Sequence, residues 1–423
     1  MRSAEKPSRA QDTELVTCEE RGMSIRIVSA VLLCVACRSS HHEVGPDGGD
    51  AGSNGGDAAM SCPRVVPSGD HAHHVVISHP FDGSGNPSPQ WEVLDLAADG
   101  TLSQPKITFQ MGAATDGSVA FTPDGELAVA AQDDGSLGVV RLANDGTPSV
   151  IAAAYKGTSG WYASSAVMAP SGDHVYVLSQ QTVDNGGGIY RIDLACDGTP
   201  SDVGRVVSTG MPGGLTFVPG ADRALVAADQ TGLFAWTEPT ANPAPSQLTG
   251  FDPFGDGMAI VGAAALTADG KTYAVGDINQ YETGGEGMNR LAIVPRSGDT
   301  LGSAAVVPIN DPESLIASPF GDVVLSVSGY GNALYVLDTS GTGGAWAVRG
   351  QVTYTGAAPE LPGAAIELST GMLNGNVFVS ELQGVRRVEL RPNGSVVDDG
   401  RFTIGDGSGN DLQDIVGAIG VSP

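Results

Sequence analysis

Asp-Gly and Asn-Gly turns recur along the chain, one phrase returns about every fifty residues, and the chain stops on a lone apolar strand. Together these predict an all-β fold, a seven-bladed β-propeller of four-stranded antiparallel blades.

Composition agrees with many tight turns. Gly accounts for 60 of 423 residues and charged residues for only 16%, whereas Gly is usually ~7% of a chain. Few Lys/Glu/Leu-rich stretches remain to build helices. The net charge is −27, and the 21 Lys and Arg are scattered rather than clustered. A phosphate backbone needs clustered cations, so nucleic acid is excluded as a partner. An acidic surface favours solubility and attracts cations.

Residues 1–37 read as a leader. Met1 to Gly22 is polar and mixed in charge, a poor export signal, but from Met23 the text becomes "MSIRIVSAVLLCVAC". An Arg followed by an apolar run from Ile27 to Ala36 is a short bacterial secretory signal, which makes Met23 the expected start. Its end resembles a lipobox, the motif cut before a cysteine that then carries lipid. Cys37 fits this with Ala36 before it, although Cys34 stands where such motifs usually carry Leu. The expectation is lipidation at Cys37, and the alternative is ordinary secretion with another cut site. Residues 38–61, "RSSHHEVGPDGGDAGSNGGDAAMS", offer almost nothing to bury and read as a disordered tether. Beyond the signal no apolar run nears the length of a membrane span.

The domain, residues 62–423, is written in repeats. "VAFTPDGELAVAAQDDGSLGVVRLANDGT" starts at Val119, and "VMAPSGDHVYVLSQQTVDNGGGIYRIDLACDGT" starts at Val167. Further copies start at Leu215, Ala264, Leu315 and Ile366. Each unit has an apolar strand, a Pro/Asp/Gly turn, a second apolar strand, a Gly-rich turn, an alternating third strand and a D-G or N-G turn. Such turns supply the positive φ that tight hairpins need. The nearly continuous second strands, such as "AVAA" and "VVLSVS", should be buried on both faces. The alternating third strand, such as "IYRIDL", belongs nearer the rim. The turn markers Pro123, Pro170, Pro219, Ala268, Pro319 and Thr370 keep the period.

One more unit, His73 to Thr101, starts on its second strand, and Ile415 to Pro423 is a first strand without a unit. The tail should therefore complete the first blade and close the ring, leaving no open edge. "RVVPSGDH" from Arg64 competes for the same slot, but it is short and follows Cys62-Pro63, so 415–423 is the expected strand.

Of five cysteines, Cys18 precedes the expected start and Cys34 and Cys37 belong to the signal. Cys62 and Cys196 remain, and an exported pair can oxidise to a disulfide. The alternative is two separate thiols.

These units resemble the lactonase-like seven-bladed propellers, a group with bacterial 6-phosphogluconolactonase, muconate-lactonising enzymes and YVTN-repeat surface proteins. The resemblance covers about residues 65 to 423 and rests on strand spacing and turn chemistry. Enzymes of that group carry a "GPRH" stretch before the first strand of certain blades, at the mouth of the central channel. Here the corresponding positions read "TDGS" (115–118), "YASS" (162–165), "MPGG" (211–214) and "DPES" (311–314), without His or Arg. The resemblance thus transfers no catalytic residue. Lactone chemistry needs an acid, base or electrophile, and a phosphorylated sugar also needs cations. The mouth instead offers Asp116, Trp161, Glu313, Glu367 and Asp414.

Other signals are weaker. His71 and His73 would share a strand face as an H-x-H pair, beside His74 and His79, but a polar strand entry accounts for them. Asp406–Asp411 and Asp184–Gly188 have a calcium-loop flavour without the EF-hand pattern. No G-x-S-x-G elbow accompanies any Ser/His/Asp set. The expectation is a monomeric, lipid-anchored envelope protein, periplasmic or on the outer surface, whose propeller binds a protein, peptide or glycan. The alternative is a divergent lactonase-type hydrolase that uses mouth carboxylates with Ca²⁺ or Mg²⁺ as its electrophile.

Overall fold

The computed structural model describes residues 62–68, 73–103, 107–114, 117, 119–221, 223–228, 232–237, 246–247, 253–255, 259–278, 290–298, 300–309, 312–328, 333–340, 346–353, 364–366, 373–382, 384–405 and 412–423. Leader and tether, with Cys37, lie outside them, and residues 59–423 form one compact unit.

Chain order gives the sheets directly. The first contains β1 (His73–Phe81), β2 (Pro87–Leu96) and β3 (Ile107–Gln110), and the second contains β4 (Ala120–Phe121), β5 (Leu127–Ala131), β6 (Leu137–Leu142) and β7 (Pro148–Tyr155). The next holds β8 (Ser165–Met168), β9 (His174–Ser179), β10 (Gly188–Leu194) and β11 (Pro200–Val207). It is followed by β12 (Pro212–Phe217), β13 (Arg223–Ala228), β14 (Gly232–Thr237) and β15 (Ser246–Gln247). In the next sheet β16 (Val261–Leu266), β17 (Thr272–Asp277) and β18 (Arg290–Ser297) carry a small extra hairpin strand, β19 (Thr300–Leu301), before β20 (Ala305–Pro308) returns to pair with β18. Then come β21 (Pro312–Ala317), β22 (Val323–Ser328), β23 (Ala333–Asp338) and β24 (Ala347–Thr353), and β25 (Ala364–Ile366), β26 (Asn376–Glu381), β27 (Gly384–Leu390) and β28 (Val396–Thr403). The final strand, β29 (Ile419–Val421), pairs with β1, not with its chain neighbours: Val75 lies opposite Val421 and Ile77 opposite Ile419. The competing Arg64 to Pro67 segment forms no strand. All these pairs are antiparallel, and the protein is an all-β propeller of four-stranded blades.

Burial follows the strand's place in its blade. The second strands β9, β17, β22 and β26 are buried at every position, because they pack on both faces. Fourth strands such as β7 and β11 are half-buried or exposed at nearly every position. First strands touch one another, β12 against β16 and β16 against β21. That approach needs small residues: a Cβ on Gly213 in β12 would stand 1.8 Å from the Val261 carbonyl oxygen. Apolar clusters fill the gaps between sheets, as where Trp91 and Val93 meet Ala128 and Val140, or where Ile77 and Leu94 meet Phe378 and Val385.

Turn chemistry repeats with the blades. Asp99, Asp145 and Asp197 each accept the backbone N–H of a Thr two residues on, at 2.9, 3.0 and 2.9 Å. The intervening Gly100, Gly146 and Gly198 have φ of 84°, 79° and 85°, which only glycine adopts cheaply. Those N–H bonds from Thr101, Thr147 and Thr199 hold the three carboxyls below their usual range. A depressed carboxyl contributes stability above its unfolded-state value, near pH 4, and loses it as pH falls through the lower folded-state value. The melting temperature should therefore be level near neutrality and fall most steeply below about pH 4. A melting temperature unchanged down to pH 2 would count against these turns as acid-sensitive supports.

Candidate functional site

Strand register defines one end of the propeller. Starts of first strands lie opposite ends of second strands, as with Ser165 and Leu178 or Pro312 and Ser328. Ends of second strands lie opposite starts of third strands, as with Asp277 and Arg290 or Glu381 and Gly384. The loops before the first strands and those between second and third strands therefore share this end, the loop end. The turns after first strands, and those between third and fourth strands, occupy the other.

Trp161, Glu313 and Asp414 all reach the loop end, each from a different blade. Asp116 and Glu367 lie outside the described residues, as do His71 and residues 406–411. Trp161 is only 5% exposed: it packs among Tyr155, Ala163 and Tyr190, with ring centres 6.2 Å from Tyr155. Its neighbour Tyr162 is the exposed aromatic, at 40%, and its backbone N–H donates to Ser179 Oγ at 3.1 Å. Its hydroxyl donates to the Asp133 carbonyl oxygen. Burial, then the charges of Asp133 and Asp134, push the Tyr162 phenol up, so it stays a neutral donor. Glu313 is half-buried on β21. Asp414 ends a single 3₁₀ turn, Leu412–Asp414, that leads into β29. Its carboxylate fills the space beside Gly405, where a Cβ would meet Oδ2 at 2.0 Å.

The histidines have structural partners. His73 Nδ1 is 3.0 Å from the Ser422 carbonyl oxygen, and His74 accompanies Asp95 at 3.6 Å. Both sit at the turn end, against the C-terminal strand. Asp184 lies in a 3₁₀ turn, Val183–Asn185. Among the described residues no group of three or more His, Cys, Asp or Glu side chains is arranged to hold a metal ion.

Sequence reading missed a set of ion pairs at the loop end. Buried Asp277 accepts from Arg290 Nε at 2.9 Å and from the Ile260 N–H at 3.0 Å, while the Arg290 guanidinium lies 4.5 Å from the Phe254 ring centre. Arg386 donates to Glu381 and, through Nη1, to both Asp398 oxygens at 2.8 and 2.9 Å. Burial raises the Glu381 carboxyl while Arg386 pulls it down. His79 Nε2 lies 3.2 Å from Glu92 Oε2. A signal was present for two of them: Asp277 and Glu381 end buried second strands, and Arg290 and Arg386 come early in the third.

Other cations at this end are engaged too. Lys156 lies 3.3 Å from Asp134, Arg205 donates to the Val183 and Gly187 carbonyl oxygens, and Arg401 donates to that of Leu382. The end can therefore offer hydrogen bonds, an aromatic edge and carboxylates, whereas the described basic groups are held by protein oxygens.

No protein-family model and no curated protein matches the chain. Among solved structures it is similar to proposed 6-phosphogluconolactonases from Bacteroides uniformis (12% identity, TM-score 0.59) and Bacteroides fragilis (12%, 0.58). The alignments cover 83% and 84% of this chain and 99% of each of those chains. It is also similar to a periplasmic gluconolactonase from Pseudomonas aeruginosa, at 14% identity and TM-score 0.57, over 83% of this chain and 99% of that one. The structural neighbours are thus 6-phosphogluconolactonase-like propellers. At such identities the likeness is one of fold.

Proposed function

We propose that this chain is a lipid-anchored envelope protein of the lactonase-like propeller type, whose loop end binds a neutral or cationic peptide, protein or glycan. The observation that carries the binding reading is the engagement of Arg290, Arg386, Lys156, Arg205 and Arg401 by protein oxygens. A sugar phosphate or a developing oxyanion would need such cations free. Exposed Tyr162 and half-buried Glu313 would make the contacts. We place seven blades in the ring, with β29 as the first strand of the first blade; the Val75–Val421 register and the cluster joining Ile77 to Phe378 support this. Cys37 would carry the lipid and residues 38–61 would let a monomeric domain search near the membrane, in the periplasm or at the outer surface.

On an array of glycans and peptides, the wild-type chain should retain neutral or cationic ligands, and a Tyr162→Ala/Glu313→Lys variant should lose at least about tenfold in affinity, or 1.4 kcal/mol. Equal binding by both proteins would reject the loop end as the site. Cys37→Ala should move the protein from membrane to soluble fractions; a variant that stays with the membrane would reject the anchor.

A further inference from the structure

The segment ahead of β1 is laid along the turn end, opposite the candidate site. Cys62 is bonded to Cys196, in the turn between β10 and β11, with Cα atoms 5.5 Å apart. Two residues on, Arg64 enters between two blades. Its Nη1 donates to Asp124 at 3.0 Å, and its Cδ lies where a Cβ on Gly172 would come within 2.7 Å. Val65 and Val66 then face solvent, at 73% and 45% exposure.

The docking of this segment is poorly compensated. The Arg64 side chain is 2% exposed, yet its Nε and Nη2 find no hydrogen-bond partner. A buried guanidinium with one of three nitrogens satisfied keeps much of its desolvation cost, and the solvent-facing valines return little apolar burial. The covalent link therefore supplies what the contacts do not, by holding Arg64 beside Asp124 at high local concentration. The link is also within reach of a reductant, because Cys196 is exposed. The blades, in contrast, have their own strand ladders and buried clusters.

We propose that Cys62–Cys196 is a reducible clasp: its reduction releases residues 62–68 from the turn end and uncovers the Arg64–Asp124 pair, while the propeller stays folded. A dithiol reductant supplies the two electrons and two protons. Its two S–H groups become one S–S bond, the Cys62–Cys196 bond breaks, and each cysteine sulfur takes one proton.

Trypsin tests this on the intact full-length chain, because its cut after Arg64 needs that residue out of its pocket. One sample is kept oxidised, one is reduced with dithiothreitol and blocked with iodoacetamide, and a Cys62→Ser/Cys196→Ser variant serves as a third. Cleavage after Arg64, read by mass spectrometry, should be at least about tenfold faster in the reduced sample and in the variant. Cleavage after half-buried Arg290 and buried Arg386, both within paired strands, should stay slow in all three. Three results would each overturn the proposal: Arg64 equally protected after reduction, Arg64 cut as fast in the oxidised chain, or Arg290 and Arg386 cut together with Arg64. The last would mean that the bond holds the propeller rather than the segment.

Discussion

Replacing Glu381 with Ala should lower stability by about 3–5 kcal/mol, because it strands a buried guanidinium. Arg386 is 2% exposed and Glu381 1% exposed, and Asp398, the other partner, is far more open to solvent. Removing Glu381 takes away the carboxylate that accepts from Nε and Nη2 of Arg386. Glu381→Gln keeps a hydrogen-bonding oxygen and should cost less. A Glu381→Leu/Arg386→Met double variant should recover much of the loss, because it removes both charges at once. Thermal and denaturant melts of the four proteins make the comparison. Glu381→Ala melting within a degree of wild type would show that water reaches Arg386 and that the pair is not buried in the energetic sense.

Deleting residues 419–423 should do more damage still and leave no cooperative transition. β29 is only Ile419–Val421, but it covers the edge of β1, and Ile419 is fully buried beside Phe378 and Val385. Its loss would strip β1 of its ladder partners at Val75 and Ile77, expose an apolar strand edge, and open the cluster between first and last sheets. Near-ultraviolet circular dichroism should lose its fine structure, and size-exclusion chromatography should show aggregation. A deleted chain that melts like wild type would refute ring closure by the tail.

Much of this architecture was legible because it is local. The Asp-Gly-Thr turns announce themselves, since the Asp bonds a backbone N–H two residues on and the Gly carries the positive φ. The buried second strands were legible from "AVAA" and "VVLSVS" because both faces carry small or apolar residues there. The pairing of β29 with β1 was legible from counting strands, although the strand is shorter than 415–423. What escaped was non-local or rotational. Trp161 precedes a first strand, which suggested a mouth residue, yet its ring is turned into the cluster with Tyr155 while Tyr162 takes the surface. Arg290 and Arg386 were not singled out among the scattered cations, since their carboxylate partners lie across a loop and only the hairpin register brings them together. The β19 detour left no period to count. The Arg64 segment looked like a strand start, but the bond at Cys62 draws it across the turn end instead.

The measurement that bears most directly on the account is lactone hydrolysis by the purified chain. Glucono-lactone and 6-phosphogluconolactone would each be followed against their spontaneous hydrolysis, with EDTA and with added Ca²⁺ or Mg²⁺. If the loop end binds rather than catalyses, every trace should match the uncatalysed rate. Saturable turnover, above all one abolished by EDTA and restored by the ion, would contradict the account and make the carboxylates of the loop end a hydrolase site.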